Sequence, residues 1–549
     1  MLPGPRRRIV HSERGMVLVA AVLFVVLATV LTAAFMATTT GEREVSGNVH
    51  VAKAALYSAD AGVRTAQQVL ANMATSKLDS LCAIQSGTGG PVITQPQSLF
   101  PAGGIPASAT SPPFAASASI AFSDSDLADT AQVYNYRYSI TATGQRGAFG
   151  ARRVMSSGIL RVSAARGTFA DYLMFTQLHL TPSGQPIWFT SSTNFDGRVH
   201  SNGEFRFAYQ PSFQDLVTSV NTRAWYFNQG NPLELAANKN GTIDVPNFYG
   251  GFNRGAASVT LPPNSFNQQN AALGEPSTGS APTNARINQI LGTGNGNNPP
   301  PNDIYLPNSG GGVIGGLYIQ GTLDQVVARA DTTGKQYYVM RQGSTTKTVT
   351  VDMAHNLTLV TVGSTTTTYT GVPHGVMYVN SPSSSVSISD LRGPDRVSGV
   401  PQPALSDGTQ LLIAATGDVV LQGDVVTHDY TNGGSVLGLY SSGGSVRVGS
   451  SAPNDMYLDA YVMATGSTGS FTVDGYGNGS PRGTFHLRGG MVTQYYGPFG
   501  TFNQSGQQVS GYARDFRYDR RGLVPPYYPT TPIFVADAPV PRTLVWKEL

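Results

Sequence analysis

An uncharged apolar run near the start of the chain constrains its fold more than any other feature. Residues 16–37 read MVLVAAVLFVVLATVLTAAFMA and carry no charged side chain. A helix needs about 20 such residues to cross the hydrocarbon core of a bilayer. Four arginines precede the run, Arg6, Arg7, Arg8 and Arg14. Because positive residues stay on the cytoplasmic side, we expect residues 1–15 to form a basic cytoplasmic leader and the bulk of the chain to lie outside the cytoplasm. The alternative is a cleaved secretory signal, which has a shorter apolar run.

An apolar stripe follows this run and predicts that the helix continues to about residue 75. Apolar residues recur at alternating spacings of four and three, which places them on one helix face. The stripe comprises Val45, Val49, Ala52, Leu56, Ala59, Val63, Ala66, Leu70 and Met73. We expect residues 16–75 to form a transmembrane and extended helix whose stripe packs against other helices. A soluble coiled-coil stalk is the alternative.

The same region resembles a known family. The basic leader, Gly15, the apolar run, residues 42–48 (EREVSGN) and residues 55–64 (ALYSADAGVR) resemble the N-terminal region of PilX-type minor pilins of type IV pili, over roughly residues 12–75. The resemblance implies that a prepilin peptidase cuts between Gly15 and Met16 and that the new N-terminus at Met16 is methylated. It also implies that the protein lies in the bacterial inner membrane or in a surface filament. Its partners would then be other minor pilins, a major pilin and membrane lipid.

Two positions depart from the pattern of major pilins. The first residue after the implied cleavage is Met16 rather than the common Phe, and the fifth is Ala20 rather than Glu. In major pilins that Glu is held to neutralise the N-terminal amine of a neighbouring subunit. The departures imply a minor or initiating subunit rather than a component of the shaft.

The remainder of the chain has the composition of a turn-rich β protein. Only 12% of the residues in the whole chain are charged and 63 are glycine, whereas an ordinary soluble domain is roughly 25% charged. Residues 76–165 read as a linker followed by small antiparallel strands, because Tyr136, Tyr138 and Ile140 alternate with polar residues. Short apolar runs punctuated by glycine then continue to the end of the sequence.

These runs predict a glycine-rich β domain over residues 166–549. We expect an irregular β-helix or solenoid-like fold, with a β-sandwich as the alternative. Residues 264–311 are rich in Asn, Gly and Pro and read as an exposed insertion, and residues 331–371 read as projecting hairpins. The fold class expected for the whole chain is mainly β with one long N-terminal α-helix, a pilin-like transmembrane helix and a small α+β head.

A second resemblance covers most of this β domain. Residues 169–176 (FADYLMFT), 195–203 (FDGRVHSNG), 496–500 (YGPFG) and 525–529 (PPYYP) resemble an uncharacterised bacterial domain found behind PilX-like N-termini, over roughly residues 169–546. The resemblance supports the architecture and the location outside the cytoplasm. It implies no chemistry.

The sequence contains little that indicates a reactive site. A net charge of +3 and the single Cys82 argue against a nucleic-acid partner, a disulfide and a cysteine metal site. No nucleophile elbow, zinc-protease motif or phosphate-binding loop occurs, so we expect no enzyme activity, cofactor or metal. Five residues are weak ligand candidates: Asp196, His200 and Glu204 in one strand-and-turn segment, and Asp418 and Asp424 in a six-residue repeat that could line one face of a β-helix.

We therefore expect a non-enzymatic, minor pilin-like protein that helps to initiate, assemble or decorate a type IV pilus or a related filament. It would act by helix packing in the membrane and in the fibre, with the β domain at the bacterial surface. The rival hypothesis is a membrane-anchored β-helix protein that binds surface carbohydrate or cleaves polysaccharide.

Overall fold

One helix dominates the N-terminal part of the structure. The computed structural model describes residues 14–76, 82–83, 90–91, 97–98, 114–128, 131–145, 151–238, 244–382, 384–503, 507–535 and 540–549. The first helix, α1, spans Arg14–Ser76, and two short helices follow much later, α2 (Phe266–Leu273) and α3 (Asn284–Leu291). Single 3₁₀ turns lie at Phe169–Asp171 and Asn228–Gly230. All other regular structure in the described residues is β.

The chain divides into two compact units. The described residues up to 165 and those from 534 onward form one unit, the head, and Arg166–Ile533 form the other, the coil. The last strand differs from expectation, because Pro541–Glu548 belongs to the head and not to the β domain.

The head consists of α1 and an antiparallel sheet. The antiparallel strands in spatial order are Gln97–Ser98, Phe114–Ala128, Ala131–Gly144 and Arg152–Thr168, with Pro541–Glu548 also paired to Arg152–Thr168. The strand Thr530–Val535, which crosses the division after Ile533, is a further neighbour of Arg152–Thr168. Tyr136, Tyr138 and Ile140 are buried and Arg137 is exposed. This is the period-two alternation that the sequence predicted for a half-buried strand.

The C-terminal half of α1 packs on this sheet at very short range. It contacts the strands Phe114–Ala128 and Ala131–Gly144. A Cβ atom at Gly144 would lie 2.1 Å from the carbonyl oxygen of Ala55, and one at Gly62 would lie 2.9 Å from Cδ2 of Phe114. A side chain at Gly144 would therefore clash with the helix backbone, whereas one at Gly62 would have to displace the Phe114 ring.

The coil is built around one long sheet. From Leu317–Gln320 to Phe252–Arg254 every neighbouring pair is parallel, and the edge strand Asp303–Tyr305 is antiparallel. The spatial order is Phe252–Arg254, Val217–Ser219, Val199–Ser201, Met174–Leu178, Pro481–Tyr495, Tyr457–Ala464, Val436–Ser441, Gln410–Ala415, Val376–Asn380, Leu317–Gln320 and Asp303–Tyr305. The strands Gly500–Phe502 and Gln508–Tyr518 join this sheet through Pro481–Tyr495.

Along the chain, strands of a second sheet alternate with the strands of the long sheet. Five of its strands are parallel neighbours: Gln325–Ala330, Val386–Arg392, Asp418–Leu421, Val446–Val448 and Phe471–Val473. The antiparallel strands Gln336–Gln342, Thr345–Asp352, Leu357–Val362 and Thr365–Thr370 extend it as hairpins, and Gly312–Val313 and Asn308–Ser309 complete it. These hairpins lie between Gln336 and Thr370.

A third, narrower strip completes each turn of the coil. Pro403–Leu405 pairs in parallel with Val426–Thr427, and Val425 bridges to Leu458. The first part of Tyr457–Ala464 then pairs with Pro481–Tyr495, which pairs with Gln508–Tyr518. The chain thus passes repeatedly through the long sheet, the second sheet and the strip around one core. Two sheets about one core are what the sandwich alternative required.

Smaller strands build the first turns of the coil and its loops. Asn194–Phe195, Ser212–Phe213 and Asn247–Phe248 form a parallel set, as do Arg206–Phe207 and Ala224–Tyr226, beside which Leu233–Leu235 runs antiparallel. These strands turn about the same core as the rest of the coil, since Phe189, Phe195, Phe207 and Phe213 are all fully enclosed in it.

Core residues lie on both faces of the long sheet. Its inner face joins the second sheet and the strip in one apolar core that includes Ile413, Val419 and Leu458. Its outer face forms another cluster, in which Tyr378 and Tyr440 pack with Leu273 of α2. Strands buried on both faces read as continuous apolar runs, and Val436–Ser441 is buried throughout.

The segment 264–311 differs from the exposed insertion that its composition indicated. It contains α2 and α3, and Gln268–Leu273 of α2 are buried over the outer face of the long sheet. The polar side chains of this helix are hydrogen-bonded, for example from Gln268 Nε2 to the carbonyl oxygen of Tyr527 at 2.7 Å. A polar sequence can therefore cover a core when its amides find partners. The predicted class, mainly β with one long N-terminal helix, is confirmed.

Candidate functional site

The first half of α1 presents an exposed apolar surface. Met16 is 75% exposed, Phe24 71% and Val49 47%. By length and composition the segment from Met16 onward can cross a membrane, and none of its most apolar window is buried. Such a continuous exposed apolar surface is stable only in lipid or against other apolar surfaces.

The predicted stripe divides into two parts. Val45 and Val49 are exposed, whereas Ala59, Val63, Ala66 and Leu70 are at most 2% exposed because they pack within the head. Ala52 and Leu56 lie between these extremes, and the side chain of Met73 falls outside the described residues. The prediction that the whole stripe packs against other helices therefore needs correction, since its C-terminal half is already covered by the chain's own sheet.

The threonine hydroxyls in the exposed half of α1 are hydrogen-bonded within the helix. The Thr29 hydroxyl donates to the carbonyl oxygen of Val25 at 2.5 Å, and the Thr40 hydroxyl donates to that of Met36 at 2.7 Å. Threonine can sit in an apolar setting in this way without an unpaired polar group. Gly15 and Met16, the implied processing residues, lie within α1 near its start, and the predicted leader before Arg14 falls outside the described residues.

The ligand candidates of the first segment do not converge. His200 is 2% exposed, with Nδ1 2.7 Å from Thr218 Oγ1 and Nε2 3.0 Å from Asn202 Oδ1. Burial lowers the pKa of His200, so its ring stays neutral. Glu204 instead accepts hydrogen bonds from Arg206 at 2.6 Å and from Trp225 Nε1 at 3.1 Å.

Asp196 also has a structural partner. Its Oδ1 accepts from the backbone N–H of Tyr518 at 2.7 Å, and its carbonyl oxygen accepts from Arg520. This carboxylate therefore ties an early turn of the coil to its last strand.

Asp418 and Asp424 lie on different sides of the coil. Asp418 begins a strand of the second sheet, accepts from Ser445 N–H at 2.8 Å and is ion-paired with Arg447 at 2.9 Å. Asp424 precedes the strip, and its carboxylate accepts hydrogen bonds from Nε and Nη2 of Arg396 at 2.6 and 3.0 Å. The six-residue repeat therefore marks two sides of one turn rather than one carboxylate-lined face. Among the described residues no group of three or more His, Cys, Asp or Glu side chains could hold a metal ion.

The structure instead reveals a cleft on the strip that the sequence analysis did not identify. Its volume is about 750 Å³, within the range of ~300–1,000 Å³ that is usual for small-ligand sites. Strip residues line it together with two loops, and the polar and aromatic members are Arg396, Thr427, His428, Asp429, Tyr430, Thr431, Asp455, Tyr457, Asp459 and Arg488. No local motif marks these residues, because they come from successive turns of the coil.

Comparison with known proteins bears on the N-terminal region above all. Residues 14–64 match the family described as PilX N-terminal. The N-terminal region of this chain is type IV pilin-like. The resemblance predicted for residues 12–75 is thereby confirmed. No curated protein matches the chain.

Two further similarities reach beyond this pilin-like region. Residues 133–221 match a domain of unknown function, DUF4900. The crystal structure of the competence-associated pilin ComZ from Thermus thermophilus aligns over 90% of this chain and 97% of its own, with 12% identity and a TM-score of 0.29. A score this low does not establish a common fold.

Proposed function

We propose that this protein is a minor pilin-like component of a type IV pilus or a related filament. The observation that carries the proposal is that residues 14–64 of α1 match the PilX N-terminal family and that the first half of α1 is exposed and apolar, while the second half packs within the head. The first half suits insertion in lipid and packing against other pilin helices. The second half fixes that helix rigidly to the head.

In this proposal Gly15–Met16 is cut by a prepilin peptidase and Met16 is methylated. The mature chain stays in the inner membrane through α1 until it enters a filament with other minor pilins and a major pilin. The head and the coil then lie outside the cytoplasm. The role is non-enzymatic, which is supported by the structural partners of Asp196, His200, Glu204, Asp418 and Asp424.

The test is mass spectrometry of the N-terminal peptide from membranes and from sheared filaments. We expect a peptide that begins at N-methylated Met16 in the filament fraction. Gly15→Val should abolish that peptide and remove the protein from filaments. Gly41→Ala is the matched control, because a Cβ at Gly41 meets nothing within 4 Å. An intact leader in both fractions, or filaments that carry the Gly15→Val protein, would contradict the proposal.

A further inference from the structure

The floor of the cleft is a ladder of side chains from neighbouring parallel strands. Asp459 and Arg488 are directly opposite in register, and so are Tyr457 and His486. Side chains opposite each other on one face of a sheet are close neighbours. The coil therefore places a carboxylate beside a guanidinium although the two are separated by a full turn.

Most charged groups around this pair already have hydrogen-bond or ion-pair partners within the protein. Arg396 holds Asp424, and the Asp429 carboxylate accepts from the backbone N–H of Thr431 and Asn432 at 2.8 and 3.0 Å. Asp455 Oδ1 accepts from the backbone N–H of Thr484 at 2.9 Å. These groups shape the walls of the cleft rather than offering free donors or acceptors.

Arg488 and Asp459 differ from them. Among the residues that the structure describes, none forms a hydrogen bond or an ion pair with the Arg488 guanidinium, which lies over the Tyr430 ring at 4.0 Å from the centroid. Both hydrogen bonds to Asp459 come from Thr427, its N–H and its hydroxyl, and both end on Oδ2. Asp459 is only 6% exposed, so Oδ1 is an acceptor left open in a largely desolvated position. Burial raises the pKa of this carboxyl.

The aromatic rings hold these groups in place. The guanidinium groups of Arg488 and Arg521 lie 4.0 and 5.9 Å from the centroid of the Tyr430 ring. The rings of Tyr457 and His486 stack with their centroids 4.3 Å apart. Cation–π contact orients a guanidinium without using its N–H donors. Arg488 therefore presents its planar fork of donors to the cleft at little further entropic cost.

The charge balance of the cleft indicates the class of ligand. The lining contains two arginines, Arg396 and Arg488, against three aspartates, Asp429, Asp455 and Asp459. This lining has no excess of positive charge and does not favour a polyanion. A guanidinium fork beside an open carboxylate oxygen instead matches adjacent hydroxyl groups, which both accept and donate.

We propose that this cleft binds a neutral, hydroxyl-rich glycan, with Arg488 donating to one hydroxyl and Asp459 Oδ1 accepting from its neighbour. The inference goes beyond the proposed function and does not depend on it, since binding by the coil and assembly through α1 use different residues.

The test measures binding of the full chain in detergent to a panel of neutral glycans that includes maltohexaose, cellohexaose and chitohexaose, with hexagalacturonate as the anionic comparison. We expect saturable binding to at least one neutral glycan. Arg488→Gln and Asp459→Asn should each weaken it tenfold or more, and Arg488→Lys should weaken it less than Arg488→Gln. Binding of none of the neutral glycans, or of hexagalacturonate alone, would overturn the proposal.

The matched control is Arg329→Gln. Arg329 is exposed, lies over the Tyr337 ring at 4.3 Å in the strand Gln325–Ala330, and does not line the cleft. It should leave glycan binding unchanged, and an equal loss with this variant would overturn the assignment of the site. The thermal midpoint of each variant separates lost binding from lost folding, and Asp459→Asn keeps an oxygen that can accept from Thr427. All these variants should still enter filaments. Failure of the glycan-binding proposal can therefore be distinguished from failure of the pilin proposal.

Discussion

At the scale of single residues, His179 is the least expected feature of the coil. It is 2% exposed, and neither of its ring nitrogens has a hydrogen-bond partner in the described structure. Its ring packs against Phe189, Phe205 and Tyr496, with centroids 4.5, 5.2 and 5.2 Å away. Burial, with smaller contributions from the positive charges of Arg514 and Arg206, lowers the pKa of His179 to about 3.

This histidine predicts a loss of stability in acid. In the unfolded chain His179 binds a proton below its ordinary pKa of 6.5, whereas in the folded chain it stays neutral down to about pH 3. The free energy of unfolding is therefore unaffected by His179 above pH 6.5 and decreases as the pH falls from 6.5 towards 3. The decrease is about 2 kcal/mol between pH 7 and pH 5. His179→Phe should flatten the fall in the thermal midpoint of the full chain. The exposed His374→Gln is the control, and an unchanged pH profile in His179→Phe would refute the prediction.

At the scale of elements, α1 is one helix with two different environments. Its sequence is regular throughout, yet Val49 is 47% exposed and Val63 is 2% exposed. The change occurs where the helix meets the head sheet, at the close approach of Gly144 to Ala55. The exposed part of the stripe is what remains for contacts with other subunits.

An aspartate at position 63 should therefore affect stability, whereas an aspartate at position 49 should affect assembly. Val63→Asp buries an unpaired carboxylate and should destabilise the head by more than about 3 kcal/mol, seen as rapid proteolysis of the full chain. Val49→Asp should leave protease resistance unchanged but reduce the amount of protein in sheared filaments at least fivefold. If Val49→Asp enters filaments normally, the exposed stripe is not an assembly surface.

Close approach within the head gives a further prediction. Gly144→Ala should destabilise the head, because its Cβ would lie 2.1 Å from the backbone of Ala55, which cannot move without the helix. Ala142→Gly, two residues earlier on the same buried face, removes a methyl group without a clash and should cost only about 1 kcal/mol. Comparison of the two by limited proteolysis separates steric exclusion from simple loss of packing. Equal effects would mean that helix and strand can separate at Gly144.

At the scale of the whole molecule, the coil is an insertion in the head. The chain leaves the head sheet after Arg152–Thr168 and later pairs with the same strand again, first through Thr530–Val535 and then through Pro541–Glu548, which runs antiparallel to it. Tyr138 Oη lies 3.2 Å from Thr543 Oγ1, and Gln67 Nε2 donates to that oxygen at 2.9 Å. Helix, central strand and C-terminal strand thus share one hydrogen-bonded contact.

The returning strand should depend on Gly158. A Cβ there would lie 2.0 Å from the carbonyl oxygen of Arg542, so Gly158→Ala should separate the last strand from the sheet. Amide hydrogen exchange in residues 541–548 should accelerate at least tenfold, whereas Ser157→Ala, next to it and opposite Val545, should have little effect. Unchanged exchange in Gly158→Ala would show that the pairing tolerates a side chain.

What the sequence alone determined follows from local patterns. The uncharged run of residues 16–37, the four-and-three spacing of the stripe and the alternation around Tyr138 each report the environment of one element, so the long helix and the β class could be predicted. The tertiary structure decided which half of the stripe the head covers and how the last strand returns to it. It also decided that Asp459 faces Arg488. These depend on pairing between distant segments, and in a coil two residues become neighbours through the register of successive turns, which no short-range spacing encodes.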